Sequence, residues 1–262
     1  MVKIKIEKLL TDNKTLMLAY DQGLEHGPID FNDINIDPHY MINIGIHGKY
    51  NALIFQKGIA EHYHEHYRKK IPLVLKLNGK SNIPRIFPIA KQHCSVKKAV
   101  QLGADAVGYT IYVGSPLEPE IFQEFGRIQE EAHDYGLPVI AWMYPRGRFV
   151  TNETSTSMLA YAARIGLELG ADMIKIKYND KMDEYKWVVK CAGKAKLAVA
   201  GGPKISDIEL LKRTKNFMQT GVTGLAIGRN VWQHEAPLKI TAALKKIIFD
   251  NGSVEDAMKL LD

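Results

Sequence analysis

Two lysines two residues apart, Lys175 and Lys177, stand in the run Asp172-Met-Ile-Lys-Ile-Lys-Tyr178, a short apolar stretch that reads as a strand. Side chains two apart on a strand share a face. Ile174 and Ile176 then look one way, and Met173, Lys175 and Lys177 look the other. An unpaired ammonium is strongly disfavoured in an interior, so a pair of inward lysines at a strand end calls for a chemical reason. Loss of solvent and a neighbouring cation both favour the neutral amine, which can attack a carbonyl and form a Schiff base. The protonated imine is an electron sink, so a carbon–carbon bond one atom away can break or form. The bland alternative has both lysines emerging at a solvated rim.

Other reactive types cluster in a few short segments. Trp142 and Tyr144 share a face of Pro138–Tyr144, and a tyrosine beside an iminium can move protons as general acid and base. Asp21 opens the polar loop DQGLEHGP, although a lone aspartate there could equally cap a helix. Ala200-Gly-Gly-Pro-Lys204 and Gly228-Arg229-Asn230 offer backbone N–H groups and one guanidinium, the means by which loops hold phosphate.

The elements that must position these residues recur roughly thirty residues apart, the length of one strand–helix unit. The apolar runs are Thr15–Asp21, Ala52–Gln56, Leu73–Asn78, Ala106–Tyr112, Pro138–Tyr144, Asp172–Lys177, Lys196–Gly201 and Gly224–Gly228. Helical patterns separate them: Glu118–Tyr135, Ser155–Leu169 with Ser or Thr as N-cap, and Ser206–Gln219, where Ser206 and Glu209 fit a capping box. Four runs follow a glycine lead-in (LGADAV, YGLPVI, LGADMI and TGVTGLAI), the residue that ends a helix in a left-handed turn. Eight βα units of similar length predict an α/β fold, a (β/α)8 TIM barrel with a closed parallel sheet, rather than an open doubly wound one. No linker interrupts the series, so residues 1–262 are expected to form a single domain. In such a barrel the mouth lies at the strand C-termini, and the phosphate site at loops seven and eight, where GGPK and GRN fall.

Composition narrows the alternatives. A chain of 262 residues with 46% hydrophobic and 24% charged content can bury a sizeable core. No apolar run reaches the ~18 residues that suggest a membrane span, and MVKIKIEKLL lacks a signal-peptide apolar region, so a cytoplasmic location is expected. Cys94 and Cys191 give neither a disulfide framework nor a metal knuckle. The net charge of +6 comes from scattered lysines, which suits anionic small molecules better than nucleic acid, whose binding wants basic runs interleaved with aromatics. His62 and His66 are one helical turn apart in GIAEHYHEHYRKK, but no third ligand completes a zinc pattern, and no metal or other cofactor is expected. A non-catalytic phosphate-ester binding module would explain the glycine loops but not the strand lysines.

DQGLEHGP, WMYPRG, GADMIKIKY, AGGPK and AIGRNVWQ, in that order from residue 17 to about 233, together resemble the archaeal-type class I fructose-1,6-bisphosphate aldolases of the DhnA type. The resemblance implies a metal-independent lyase of glycolysis or gluconeogenesis, with Lys175 as the Schiff-base lysine, Tyr144 as proton donor and acceptor, and Asp21 assisting at the carbinolamine. It implies that Trp142 lines the pocket and that Ala200, Gly201, Gly202, Gly228 and Arg229 hold the dihydroxyacetone-side phosphate. Gln22, His26, Asp30 and Arg146 are carried over as contacts to sugar hydroxyls or the other phosphate, and Lys177 as a substrate contact or second choice of nucleophile. Relatives include aminodideoxyheptulosonate synthases, from which Trp142 and Ile176 set this chain apart. The loop Tyr178-Asn179-Asp180 departs from the Tyr-Thr-Gly common in the family. The resemblance also implies phosphorylated sugar substrates and a homo-oligomer, typically a decamer.

Overall fold

All eight expected runs form strands: β1 (Thr15–Ala19), β2 (Ala52–Gln56), β3 (Leu73–Lys76), β4 (Ala106–Val113), β5 (Val139–Pro145), β6 (Met173–Ile176), β7 (Lys196–Ala200) and β8 (Gly224–Ile227). Each pairs in parallel with the next, and β8 returns to β1, so the sheet is a closed barrel. The structure, a computed structural model, describes residues 3–84 and 87–262. The first two residues of the N-terminal run, Met1 and Val2, lie outside the described residues, as do Arg85 and Ile86.

Strand alternation sorts the side chains into two layers. Leu16, Leu18, Leu53, Phe55, Ile174 and Ile176 pack outward against the helices. Met17, Ile54, Val74, Ile140 and Met173 fill the axis together with Ala19, Ala52, Ala106, Ala198 and Ala226. Leu9, on the 3-10 helix Ile6–Leu9 that precedes β1, joins this axial cluster and is fully buried. It closes the N-terminal end of the barrel. At the other end the inward residues of β1, β7 and β8 are alanines and glycines, which leave volume where the strands stop.

Helices Glu118–Asp134, Thr156–Glu168, Met182–Cys191, Asp207–Met218 and Pro237–Ile248 follow β4 to β8 in turn. Ser155 caps the second of these, accepting a hydrogen bond from the Met158 N–H. The expected capping box at Ser206 does not form: Ser206 sits at the N-cap but its side chain makes no cap bond. The Asp207 carboxylate there pairs instead with His234 Nε2 at 3.1 Å. The lead-in glycines behave as expected, with φ of 71° at Gly103, 71° at Gly136, 83° at Gly170 and 93° at Gly221. The histidine-rich run forms two short helices, Lys57–His62 and His64–Tyr67, broken at Tyr63. Among the described residues no group of three or more His, Cys, Asp or Glu could hold a metal ion, and no helix is long and apolar enough to cross a membrane.

Candidate active site

The strand C-termini open on a cavity of about 450 Å³. Lys175, one residue before the end of β6, projects into it with 5% of its surface exposed. It is neighboured in register by Trp142 on β5 and Ala198 on β7. Lys175 Nζ stands 4.9 Å from the centre of the Trp142 ring. The indole fits because β4 carries Gly108 alongside: a Cβ there would lie 2.2 Å from the Trp142 ring atoms. Burial pushes the Lys175 amine below the usual lysine range, partly opposed by the negative charge of Asp21. This is the environment a carbonyl-attacking amine needs.

Lys177 is placed differently from the inward reading of its strand. β6 ends at Ile176, and Lys177 lines the rim of the cavity while its ammonium pairs with Glu153 at 2.8 Å. Pairing with Glu153 and partial exposure set Lys177 apart from the buried Lys175, unpaired among the described residues.

Tyr144 and Trp142 both line the cavity from β5, as their shared face required. Burial and the negative charges of Asp21 and Glu25 drive the Tyr144 phenol well above its ordinary value, so it rests protonated. Asp21 lies just beyond β1, and its carboxylate is 3.8 Å from Lys76 Nζ. Gln22 and His26 line the same side. Asp30 does not line the cavity. It stands behind, bonded to His26 Nδ1 at 2.6 Å and to the Arg229 guanidinium at 3.4 Å, and so orients two residues that do. Arg146 bridges the mouth between Glu25 at 3.3 Å and Glu153 at 3.7 Å.

Ala200, Gly201, Gly202, Gly228 and Arg229, at the ends of β7 and β8, form one wall. Gly202 adopts φ 70°, a left-handed turn that exposes its amide. Asn230 holds this wall together, its Nδ2 donating to the carbonyls of Gly201 and Pro203 at 3.1 and 2.8 Å. Two buried donors, Gln22 Nε2 and Trp142 Nε1, have no acceptor among the described residues.

The profile of the DeoC/LacD family aldolases matches residues 15–234. A fructose-bisphosphate aldolase class 1 of Thermoproteus tenax is 43% identical over 250 residues, 94% of each chain. A solved structure described as a Schiff-base-forming fructose-1,6-bisphosphate aldolase superimposes with a TM-score of 0.90 at 43% identity, covering 94% of this chain and 98% of that one. Another, an archaeal fructose-1,6-bisphosphate aldolase with its catalytic lysine covalently bound to the carbinolamine intermediate, gives a TM-score of 0.89 at 43% identity, covering 93% and 98%. The chain belongs to the DeoC/LacD family of aldolases.

For this aldolase, sequence reasoning missed one inward cation and two carboxylates. Lys76 ends β3 with the same buried exposure as Lys175, 5%, and lines the cavity. The alternation Val74, Lys76 follows the rule that exposed Lys175, so the signal was present in LVLKLN. Glu25 and Glu153 carried no such signal. Glu25 lies on the single helical turn Gly23–His26 and Glu153 in the loop before helix Thr156–Glu168, and only the fold brings them to Arg146.

Proposed function

We propose that Lys175 is the nucleophile of a metal-independent reaction that cleaves or forms fructose 1,6-bisphosphate, with dihydroxyacetone phosphate and glyceraldehyde 3-phosphate as the three-carbon partners. The observation that carries this reading is the buried, depressed Lys175 amine beside a protonated Tyr144, facing a glycine wall. Neutral Lys175 attacks the C2 ketone to give a carbinolamine. Tyr144 donates its proton as the hydroxyl leaves as water, and the new iminium stabilises the phenolate left beside it. The phenolate takes the proton of the C4 hydroxyl while the C3–C4 electrons flow into the iminium, giving an enamine and free glyceraldehyde 3-phosphate. Tyr144 then protonates the enamine at C3, and water attacks the restored iminium to release dihydroxyacetone phosphate and the amine.

The resting state of Tyr144 supports this order, because a phenol held above its ordinary range acts first as an acid. Gly201, Gly202, Gly228 and Arg229 suit the phosphate next to C1, and Gln22, His26 and Arg146 face the remainder of the substrate. The unpartnered Gln22 Nε2 and Trp142 Nε1 are donors for substrate oxygens. Residues 1–262 act as one catalytic domain of a cytoplasmic enzyme of glycolysis or gluconeogenesis. A homo-oligomer, a decamer by family resemblance, agrees with the exposed Tyr161 and Trp187 on the two outer helices that follow β5 and β6. Light scattering on the purified chain tests that state.

The deciding experiment adds borohydride with dihydroxyacetone phosphate and maps the reduced adduct. An adduct on Lys175 is expected. One on Lys177 would reassign the nucleophile, and no adduct at all would sink the Schiff-base reading.

A further inference from the structure

Glu153 is a carboxylate at the mouth whose polar partners are both cations of the cavity. Among the described residues its side chain pairs only with Lys177 Nζ at 2.8 Å and Arg146 Nε at 3.7 Å. Lys177 and Arg146 line the cavity. Arg146 opens the loop after β5, Glu153 stands near the end of that loop, two residues before the N-cap Ser155, and Lys177 follows β6. The loop makes its own turns without the Glu153 carboxylate. Asn152 Oδ1 accepts from the Thr154 N–H at 3.0 Å and from its hydroxyl at 3.1 Å, and the Val150 N–H donates to the Gly147 carbonyl. Partial burial pushes the Glu153 carboxyl up, but Lys177 and Arg146 outweigh it and hold the group below the usual carboxylate range, so it is an anion at neutral pH.

These pairs are built to part. Each of the three side chains is between 32% and 39% exposed, and ion pairs this open to water hold weakly. A phosphoryl group brings about two negative charges and three acceptor oxygens, and so competes well with one carboxylate for the same cations. Glu25, which also pairs with Arg146, is better anchored. It sits on the helical turn Gly23–His26, and its backbone carbonyl accepts from the Asn82 N–H at 3.0 Å. Arg146 therefore keeps one partner when Glu153 lets go. We infer that Glu153 is a specificity-determining residue: a resident anion that competes with the far phosphoryl group of the substrate for Lys177 and Arg146, and reclaims both when the aldehyde product leaves. This rests on the proposed reaction, in which the glycine wall takes the phosphate next to C1. A sugar whose far end is a hydroxyl leaves the pairs intact, whereas a bisphosphate must part them. A strut that merely held the two cations in place would act in the opposite direction and strengthen binding of the far phosphate.

The test uses the full chain with Glu153→Gln, which keeps the shape and removes the charge; Glu153→Ala replaces it if circular dichroism shows a misfolded protein. The synthesis direction separates the two ends of the substrate, because KM for glyceraldehyde 3-phosphate reads the far end and KM for dihydroxyacetone phosphate the near one. In Glu153→Gln, KM for glyceraldehyde 3-phosphate should fall by about fivefold, the upper range for an exposed ion pair, while KM for dihydroxyacetone phosphate stays within about twofold. A raised KM for glyceraldehyde 3-phosphate would make Glu153 a strut, and an unchanged one would show that it competes with nothing. An equal fall in both KM values would mean a general change of field in the mouth. Any of these three results overturns the inference. Borohydride with dihydroxyacetone phosphate should label Lys175 in the variant as in the unaltered protein. Absence of labelling in the unaltered protein is a different failure, because it removes the proposed reaction itself.

Discussion

At the residue scale burial sets the protons of the site, lowering Lys175 and Lys76 and raising Tyr144. Tyr144→Phe removes the proton carrier but not the amine, so kcat should fall by about 10²–10⁴ while borohydride with dihydroxyacetone phosphate still labels Lys175. Loss of labelling together with activity would show that Tyr144 shapes the pocket rather than moving protons. The buried amines also leave a mark on stability. Lys76 is pushed from 10.5 down to about 8 in the folded chain. Between those values the unfolded chain binds the extra proton, so stability rises with pH, and the penalty is fully present below about 8. Relative to the unaltered protein, Lys76→Met should therefore be most stabilised near pH 7, with an upper bound on the order of 3 kcal/mol. That advantage should fade as pH approaches 10. Denaturant melts of both proteins at pH 7 and pH 10 measure it, and a constant difference would mean that Lys76 carries no burial penalty.

Strands, at the element scale, set what each side chain can reach. Lys175 works from inside β6, whereas Lys177, one residue past the same strand, is free to swing to Glu153. One residue of strand length thus separates the proposed nucleophile from a lysine at the rim. The indole that backs Lys175 depends on β4, where Gly108 leaves the space. Gly108→Ala would set a methyl 2.2 Å from the Trp142 ring and should cost about 1–3 kcal/mol through overpacking. Because the ring must shift under both amines, kcat should suffer more than KM. A variant with unchanged melting temperature and unchanged kcat would show that the indole has slack. Ser155→Ala, which removes the cap of helix Thr156–Glu168, should cost about 1 kcal/mol and leave the pH profile alone, since the cap touches no ionisable group of the mouth.

On the scale of the whole molecule, closure divides the barrel into a floor that holds it together and a mouth that reacts. Leu9 belongs to the floor, buried in the axial cluster from outside the sheet. Leu9→Ala should lower stability by about 2–5 kcal/mol with KM for fructose 1,6-bisphosphate unchanged at temperatures where the protein stays folded. A changed KM would mean that floor and mouth are coupled. Chelation tests the chemistry of the whole site. In the proposed mechanism the iminium serves as electron sink, so activity should persist in EDTA, and its loss would call for a metal in the mechanism.

Repeat length and alternation determined much of this protein, because both are local. The period of strand and helix announced a closed barrel, and the two-residue rhythm of Asp172–Tyr178 put Lys175 at its mouth before any contact was known. The same rhythm in Leu73–Asn78 contained Lys76, overlooked because one lysine at a run's end looks like an ordinary strand exit. Ser206 shows the limit of local pattern: the capping box was written in the sequence, but Asp207 meets His234 from a distant segment and the serine bond does not form. Ion pairs such as Glu25–Arg146 and Glu153–Lys177 join loops far apart along the chain, and no periodicity encodes a distance between loops. Asp30 belongs with them, since only the packed loops decide that it steadies His26 and Arg229 from behind. How far each buried amine is pushed down likewise waited for the tertiary structure, because desolvation depends on enclosure, and that exists only once the sheet has closed.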